Sequence, residues 1–173
     1  NAQPVFWDPV DRTAIAQTEI EDKEKSGMMS EIVFQLDDSK KNIAEKQELV
    51  ISTTRPELLP ACVALFYHPN DERFKHLQNK KAVVPLFGQS IQILPDEDVE
   101  PEKGTGLVMC CTFGDLQDVY WQKRHNLSTK QCIGLDGRMV NAGILDDLYV
   151  KKAREKILLL LQEAGYLKQQ KEI

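Results

Sequence analysis

Short apolar segments rich in β-branched residues recur along this chain at irregular intervals, without the regular helical spacers that a βαβ fold requires. Turn or breaker residues bound them, as Pro56 bounds the run that ends at Thr53. The dipeptides Gly88-Gln89 and Asp136-Gly137 indicate hairpin turns. We predict strands at residues 31–36, 48–53, 61–66, 81–87, 90–94 and 106–111, with short hairpin strands at 131–135 and 138–140. This arrangement predicts an α+β fold around a closed or nearly closed sheet.

Leu116, Val119 and Tyr120 have helical spacing, which predicts a helix that ends near Asn126. Earlier in the chain, a loop at residues 67–71 is predicted to open a short helix at residues 72–77.

The last helix has the strongest sequence signal. Asp147 is predicted as its N-cap and Gly165 as the residue that follows its end. Its predicted apolar face comprises Val150, Ala153, Ile157, Leu158, Leu161 and Ala164. Residues 1–30 are predicted to form a peripheral arm and residues 31–173 one domain, and we interpret the chain as an excised domain of a larger protein.

The composition is that of a globular domain, because 42% of the 173 residues are hydrophobic and 28% are charged. No apolar run approaches the roughly 20 residues that cross a bilayer, so no membrane contact is expected. The net charge of −5 argues against a tight, sequence-independent grip on a long nucleic acid and leaves open contact with one nucleic-acid end. The cysteines lack Cys-x-x-Cys spacing, which predicts buried thiols rather than zinc ligands and favours a reducing, cytoplasmic location.

Two carboxylates, Asp115 and Asp118, stand three residues apart where a glycine-punctuated apolar strand gives way to a helix. As an N-cap and a first-turn residue they satisfy free N–H groups and suit the positive helix end, and this structural role alone explains them. In the functional interpretation, a carboxylate at the mouth of an apolar strand binds a small cation such as an ammonium. Gly106 and Gly114 favour that interpretation because they carry no side chain that blocks approach.

A second polar run, Thr53-Thr-Arg-Pro-Glu57, follows another apolar strand. Its threonines supply hydroxyls, and Arg55 supplies a guanidinium suited to phosphate or carboxylate. The structural alternatives are β-propensity for the threonines and an ion pair with Glu57 or Asp118 for Arg55. No histidine is well placed for catalysis, so an enzyme built on these residues is expected to use a positioned water as the attacking group.

At these residues the chain resembles the editing (CP1) domains of the class I aminoacyl-tRNA synthetases for valine, isoleucine and leucine, most of all the valine enzymes of archaeal type. The motifs that carry the resemblance are Trp7-Asp-Pro, Thr13-Ala-Ile-Ala-Gln, Thr53-Thr-Arg-Pro-Glu-Leu-Leu-Pro-Ala61, Gly104-Thr-Gly106, Phe113-Gly-Asp-Leu-Gln-Asp118 and Gly137-Arg-Met139. The resemblance implies a small β-barrel-like domain with surrounding helices, inserted in a nucleotide-binding catalytic domain. The synthetic motifs of that catalytic domain, His-Ile-Gly-His and Lys-Met-Ser-Lys-Ser, do not occur in these residues.

The resemblance also implies roles for single residues. Asp118 matches an aspartate that binds the α-ammonium of the substrate, and Asp115 matches a second aspartate that helps to recognise the misacylated side chain. Thr54 and Arg55 match the site of the terminal adenosine and complete the predicted catalytic group. The remaining predicted substrate-binding residues are Thr53, Glu57, Leu58, Met109 and Cys111, and no metal site is implied. Many bacterial valine enzymes differ from this chain at Leu58, Met109 and Cys111.

The function implied by the resemblance is hydrolysis of mischarged Thr-tRNA(Val). The implied partners are the aminoacylated 3′ end of tRNA and the remainder of the synthetase. No cofactor is expected, because ATP is used only by the catalytic domain. Two alternatives stay open: hydrolysis of Val-tRNA(Ile) by an isoleucine-type domain, and a non-catalytic module that binds the tRNA 3′ end. Basic clusters such as Lys123-Arg124-His125 permit the second of these.

Overall fold

The computed structural model describes residues 27–38, 47–112 and 116–173. The strands in these ranges are β1 (Met28–Leu36), β2 (Glu48–Thr53), β3 (Cys62–Tyr67), β4 (Lys81–Val83), β5 (Ser90–Pro95), β6 (Val108–Cys111) and β7 (Leu167–Glu172). The α-helices are α1 (Leu116–Arg124) and α2 (Val150–Ala164), and short 3-10 helices lie at Pro56–Ala61, Lys75–Leu77 and Gly143–Leu145. No helix in the described ranges has the length and apolar character that spanning a bilayer requires.

The seven strands form one mixed sheet with the order β2-β1-β4-β5-β3-β6, and β7 pairs with β1. All pairs are antiparallel except β3 with β5. The two ends of this order approach each other, because the hydroxyl of Thr105, just before β6, donates to the Val50 carbonyl of β2 at 2.6 Å. The result is the predicted α+β fold with a nearly closed, barrel-like sheet.

The inner face of the sheet follows from the alternation of apolar residues along β1 and β2. Ile32 lies opposite Ile51, and Phe34 lies opposite Leu49, so the same face of both strands enters the core. Burying each such side chain contributes about 1.5–3 kcal/mol. The alternation therefore fixes the register, since a slip by one residue would turn these side chains out to water.

One edge of β1 is shared by two strands. β7 pairs with residues Met28 to Ile32, and β4 takes over at Gln35 and Leu36, after an irregularity in the ladder between Glu31 and Ile32. β1 therefore begins inside the segment predicted as a peripheral arm, so the boundary at residue 30 falls within a strand. The rest of that arm, residues 1–26, lies outside the described residues.

The last helix confirms one predicted terminus and corrects the other. Gly165 has a left-handed conformation (φ 84°), and Tyr166 N–H donates to the Leu161 carbonyl at 2.8 Å, as in a Schellman ending. Asp147 is not the N-cap, because α2 begins at Val150 after Tyr149, which caps it without a side-chain hydrogen bond. Asp147 instead has a left-handed backbone (φ 69°) in the preceding turn.

Other predicted elements are shorter than expected. The helix expected at 72–77 is confined to the 3-10 turn Lys75–Leu77, and the hairpin expected at 131–140 is reduced to an isolated bridge between Ile133 and Met139. The hairpin of β4 and β5 is confirmed, with Ala82 opposite Ile91.

Candidate functional site

Backbone pairing brings the two sequence motifs to the same end of the barrel. β2 ends at Thr53, and Thr54 and Arg55 lead into the 3-10 helix Pro56–Ala61, which β3 follows directly. At that point Thr112 N–H, just past the end of β6, donates to the Ala61 carbonyl at 3.0 Å. The segment that leads into α1 is therefore attached to the segment that follows the Thr53-Thr-Arg motif.

Asp118 lies in the first turn of α1 and is 7% exposed. Burial raises the pKa of the Cys111 thiol well above the usual range, and Cys62 and then the negative charge of the Asp118 carboxylate raise it further. The carboxylate thus sits at the apolar end of β6 and not in bulk solvent. A charge in such a place interacts strongly with a cation because little water screens it.

The end of β2 forms a small polar turn. Thr53 Oγ1 accepts a hydrogen bond from the Arg55 N–H at 3.0 Å, which reverses the chain direction before the 3-10 helix. Thr53, Thr54 and Arg55 are all half-buried, and the Arg55 side chain keeps 34% exposure. Its Nε lies 3.6 Å from Glu57 Oε2, so the ion pair considered from the sequence is present.

Glu57 is completely buried beneath this turn. Arg154 of α2 donates to both carboxylate oxygens, from Nε at 2.9 Å and from Nη2 at 2.8 Å. This hydrogen bonding, opposed by burial, raises the pKa of the Arg154 guanidinium. Glu57 was predicted to bind substrate, but the structure places its oxygens on Arg154, where the pair attaches the 3-10 helix to α2.

Three other predicted substrate-binding residues lie in the core at this end of the barrel. Leu58, Met109 and Cys111 are 3%, 7% and 2% exposed and belong to the main core. Cys110, between the last two, faces the opposite side and packs with Phe66 and Trp121 of a second apolar cluster.

Part of the predicted site falls outside the described residues, since Gly114 and Asp115 lie in the segment 113–115.

The interpretation of Gly106 as a residue that leaves room for a ligand is wrong. A Cβ atom there would stand 2.5 Å from Arg73 Nη2 and 2.8 Å from the Pro101 carbonyl oxygen. Gly106, with φ 86°, is needed for close packing instead.

Relatives of this chain are found over nearly its whole length. It is 49% identical over 173 residues to the valine–tRNA ligase of Rickettsia conorii, which covers 99% of this chain and 20% of the ligase. It is 40% identical over 215 residues to the ligase of Rickettsia felis, covering 100% of this chain and 25% of the relative. No family model matches. The chain spans about a fifth to a quarter of the length of these relatives.

A solved structure adds the fold. The LeuRS chain of a ternary LeuRS–tRNA–LeuAMS complex from Agrobacterium radiobacter K84 superposes with a TM-score of 0.64, at 16% identity, over 90% of this chain and 22% of that one. The sequence and the fold of this chain fit an editing domain of a valyl-tRNA synthetase. At 16% identity the LeuRS match establishes the fold alone.

Sequence reasoning missed the groups that fix α1 and α2. Asp96, at the end of β5, is 5% exposed and holds Arg124 Nη1 at 3.0 Å and His125 Nε2 at 2.7 Å. Although burial opposes it, the hydrogen bonds, led by that of His125, lower the pKa of Asp96. The basic cluster of α1 is therefore partly structural. Arg154 was missed because its partner is 97 residues away in sequence, a distance that leaves no local signal.

A cleft formed by described residues lies elsewhere. It has a volume of about 600 Å³ and is lined by His68, Asn70, Asp71, Glu72, Arg73, Pro101, Glu102 and Gly104, and none of the predicted site residues lines it. Across the described ranges, no three His, Cys, Asp or Glu side chains converge as metal ligands.

Proposed function

We propose that this chain is a post-transfer editing domain that hydrolyses the ester of Thr-tRNA(Val). The similarity to valine–tRNA ligases over 99% of the chain supports the assignment. The observation that carries it is the burial of Asp118 in the first turn of α1, at the apolar end of the barrel. Because little water screens a carboxylate in this place, it attracts an ammonium such as that of the aminoacyl ester more strongly than an exposed carboxylate would.

Asp118 binds the α-ammonium of the threonyl ester in this proposal. An ammonium–carboxylate contact is a charge-assisted hydrogen bond, about twice as strong as a neutral one. It holds the acyl group at one end, while Thr54 and Arg55 hold the terminal adenosine at the other. With both ends fixed, the ester carbonyl has a single orientation toward water.

Water is the attacking group. Its oxygen adds to the ester carbonyl, the bond between that carbon and the ribose oxygen breaks, and the ribose oxygen takes up a proton. The products are free threonine and uncharged tRNA, and the reaction requires neither ATP nor another cofactor. Positioning supplies most of the acceleration, since effective concentrations in well-oriented sites are large.

Selectivity for threonine over valine has a physical cause in the hydroxyl group. For valyl-tRNA synthetases the established figure is that a valine pocket rejects threonine by only about 10². A second site that pairs with the hydroxyl reverses the preference, because a bound valine leaves a buried polar group unpaired at a cost of roughly 1–3 kcal/mol. Asp115 or the Cys111 thiol would face the hydroxyl, beside Leu58 and Met109.

The partners in this proposal are the aminoacylated 3′ end of tRNA and the remainder of a cytoplasmic synthetase. The net charge of −5 fits a domain that receives only one end of the nucleic acid.

The test is deacylation of Thr-tRNA(Val) by the wild-type chain and by Asp118→Ala. Removing one partner of a desolvated charge pair costs about 2–5 kcal/mol, so we expect a loss of roughly 30-fold or more. Tyr120→Ala on the exposed side of the same helix is the matched control and should keep full activity, because Tyr120 is 53% exposed. Circular dichroism of both variants verifies folding, and an active, folded Asp118→Ala protein would refute the role.

The same assay separates the alternatives. Faster hydrolysis of Val-tRNA(Ile) than of Thr-tRNA(Val) would assign an isoleucine-type domain. Salt-sensitive binding of the charged tRNA with no ester cleavage would instead assign a binding module.

A further inference from the structure

Two cysteines face each other across neighbouring strands at the candidate site. Cys62, the first residue of β3, is the Cα partner of Cys111, the last residue of β6. Both side chains enter the main core, and each residue is 2% exposed. The function proposed above uses only Cys111 and gives no role to the pair.

The pairing of β3 with β6 shows how close the two cysteines are. Cys62 lies directly opposite Cys111, Thr112 N–H beside them donates to the Ala61 carbonyl at 3.0 Å, and the register of the ladder shifts between Cys62 and Ala64. Directly opposed residues of an antiparallel pair have Cα atoms about 4.5–5.5 Å apart, whichever type of pair they form. That separation falls inside the range of about 4.4–6.8 Å that disulfides span.

The two thiols also act on each other, because Cys62 adds to the effect of burial in raising the pKa of the Cys111 thiol. Cys62 Sγ donates to the Ala64 carbonyl at 3.6 Å. The other cysteines are directed elsewhere, since Cys110 faces the opposite side of β6 and Cys132 donates to the Asn141 carbonyl at 3.6 Å. The pairing geometry thus selects one disulfide out of those that four cysteines allow.

We propose that Cys62 and Cys111 form a reversible disulfide when the protein meets a hydroperoxide, and that this bond lowers the editing activity. One thiol is oxidised to a sulfenic acid while the O–O bond of the hydroperoxide is reduced, giving water or an alcohol. The second thiol then attacks that sulfur, the S–S bond forms, and one water leaves. Two thiols and one hydroperoxide are consumed, and a dithiol reductant reverses the change.

The reaction is slow in the folded protein. Burial raises the pKa of Cys111 well above the usual range, and the thiolate is the form that reacts. The rate of disulfide formation should therefore rise with pH, and the cross-link should accumulate over hours rather than seconds. Such a site responds to sustained oxidation and ignores brief exposure.

The effect on editing rests on the function proposed above. The disulfide removes the Cys111 S–H group, brings the two sulfur atoms to about 2.0 Å from each other, and thereby changes the surroundings of the Asp118 carboxylate. Misplacing a group by about 1 Å in a positioned site costs up to about 10²-fold, so we expect the oxidised protein to lose roughly tenfold or more of its deacylation rate.

Peptide mapping of the oxidised wild-type chain tests the bond directly. After treatment with hydrogen peroxide and alkylation, trypsin should release peptide 47–73 cross-linked to peptide 104–123, short of two hydrogen atoms. Cys132 lies in a third peptide, 131–138, so its participation would be recognised. A reductant should abolish the cross-link.

Two variants complete the design. Cys110→Ser should keep the cross-link, because Cys110 shares a peptide with Cys111 but faces away from Cys62, whereas Cys62→Ser should abolish it. Absence of the 47–73 to 104–123 product in the wild-type chain, or its loss in Cys110→Ser, would overturn the proposal. Deacylation is measured on the same samples. A reduced protein without activity would refute the proposed function, but the test of the disulfide would still hold. Full activity after complete cross-linking would refute the proposed inhibition.

Discussion

Replacing Arg154 with methionine should destabilise this fold far more than a typical change on the exposed side of a helix. The guanidinium is bound to both oxygens of Glu57, and Glu57 is completely buried. Methionine preserves most of the apolar stem, so packing is largely retained. What is lost is the charge that compensates a carboxylate with no access to water.

Breaking a buried ion pair by removing one partner costs about 3–5 kcal/mol. Two features put the expected value at the lower end, about 3 kcal/mol. Arg55 Nε lies 3.6 Å from Glu57 Oε2 and can take over part of the compensation, and the Arg154 side chain is itself 26% exposed. Because a domain is stable by only about 5–15 kcal/mol, this is a large share of the total.

Urea unfolding followed by far-UV circular dichroism measures the effect, and an unchanged m-value indicates that the unfolding transition is still the same one. Lys152→Met is the matched control, because Lys152 lies on the same helix and pairs with exposed Glu155 at 3.5 Å, an interaction of about 0.5 kcal/mol or less. Glu57→Gln should cost less than Arg154→Met, since the charge that it leaves behind can reach water. Equal stabilities for Arg154→Met and Lys152→Met would refute this reasoning.

Gly106→Ala and Gly88→Ala both place a side chain on a left-handed backbone, at φ 86° and 79°. A Cβ at Gly88 meets no other atom, so Gly88→Ala should cost only about 1–2 kcal/mol of backbone strain. Gly106→Ala should cost roughly 2–5 kcal/mol, because its Cβ also meets Arg73 and Pro101. Equal urea midpoints for the two variants would contradict this expectation. The Arg73 hydrogen bond lowers the pKa of Asp71, so that carboxylate stabilises the fold above its unfolded pKa of about 3.9 and the contribution disappears as the pH falls through the lower, folded pKa. The stability gap between wild type and Asp71→Asn should therefore narrow below about pH 4, and a gap independent of pH would count against the ion pair.

The strands were predictable because the residue pattern that favours a strand also supplies the apolar face that the core requires. Alternation in β1 and β2 marks both the strand and its inner face, and Gly165 marks the end of α2 because a left-handed residue favours glycine. The two polar motifs were visible because each follows an apolar strand, β2 or β6, and their role as a site stays a prediction.

What the sequence did not reveal depends on partners that are distant along the chain. β7 carries almost no apolar residue and is exposed, so only its pairing with β1 makes it a strand. The role of Glu57 depends on Arg154, and the packing of Gly106 depends on Arg73. Asp147 has the residue type of an N-cap, but its left-handed backbone excludes the extended conformation that an N-cap adopts.

The pairing of β1 with β7 also bears on how this domain can be handled in a longer protein. Ile173 N–H donates to the Gly27 carbonyl at 3.2 Å, and strands joined in this way run about 4.8 Å apart. A two-residue β-turn spans that gap. The residues between Gly27 and Ile173 could thus be replaced by such a turn while Gly27 and Ile173 keep their separation, and the shortened protein would show what the replaced residues contribute.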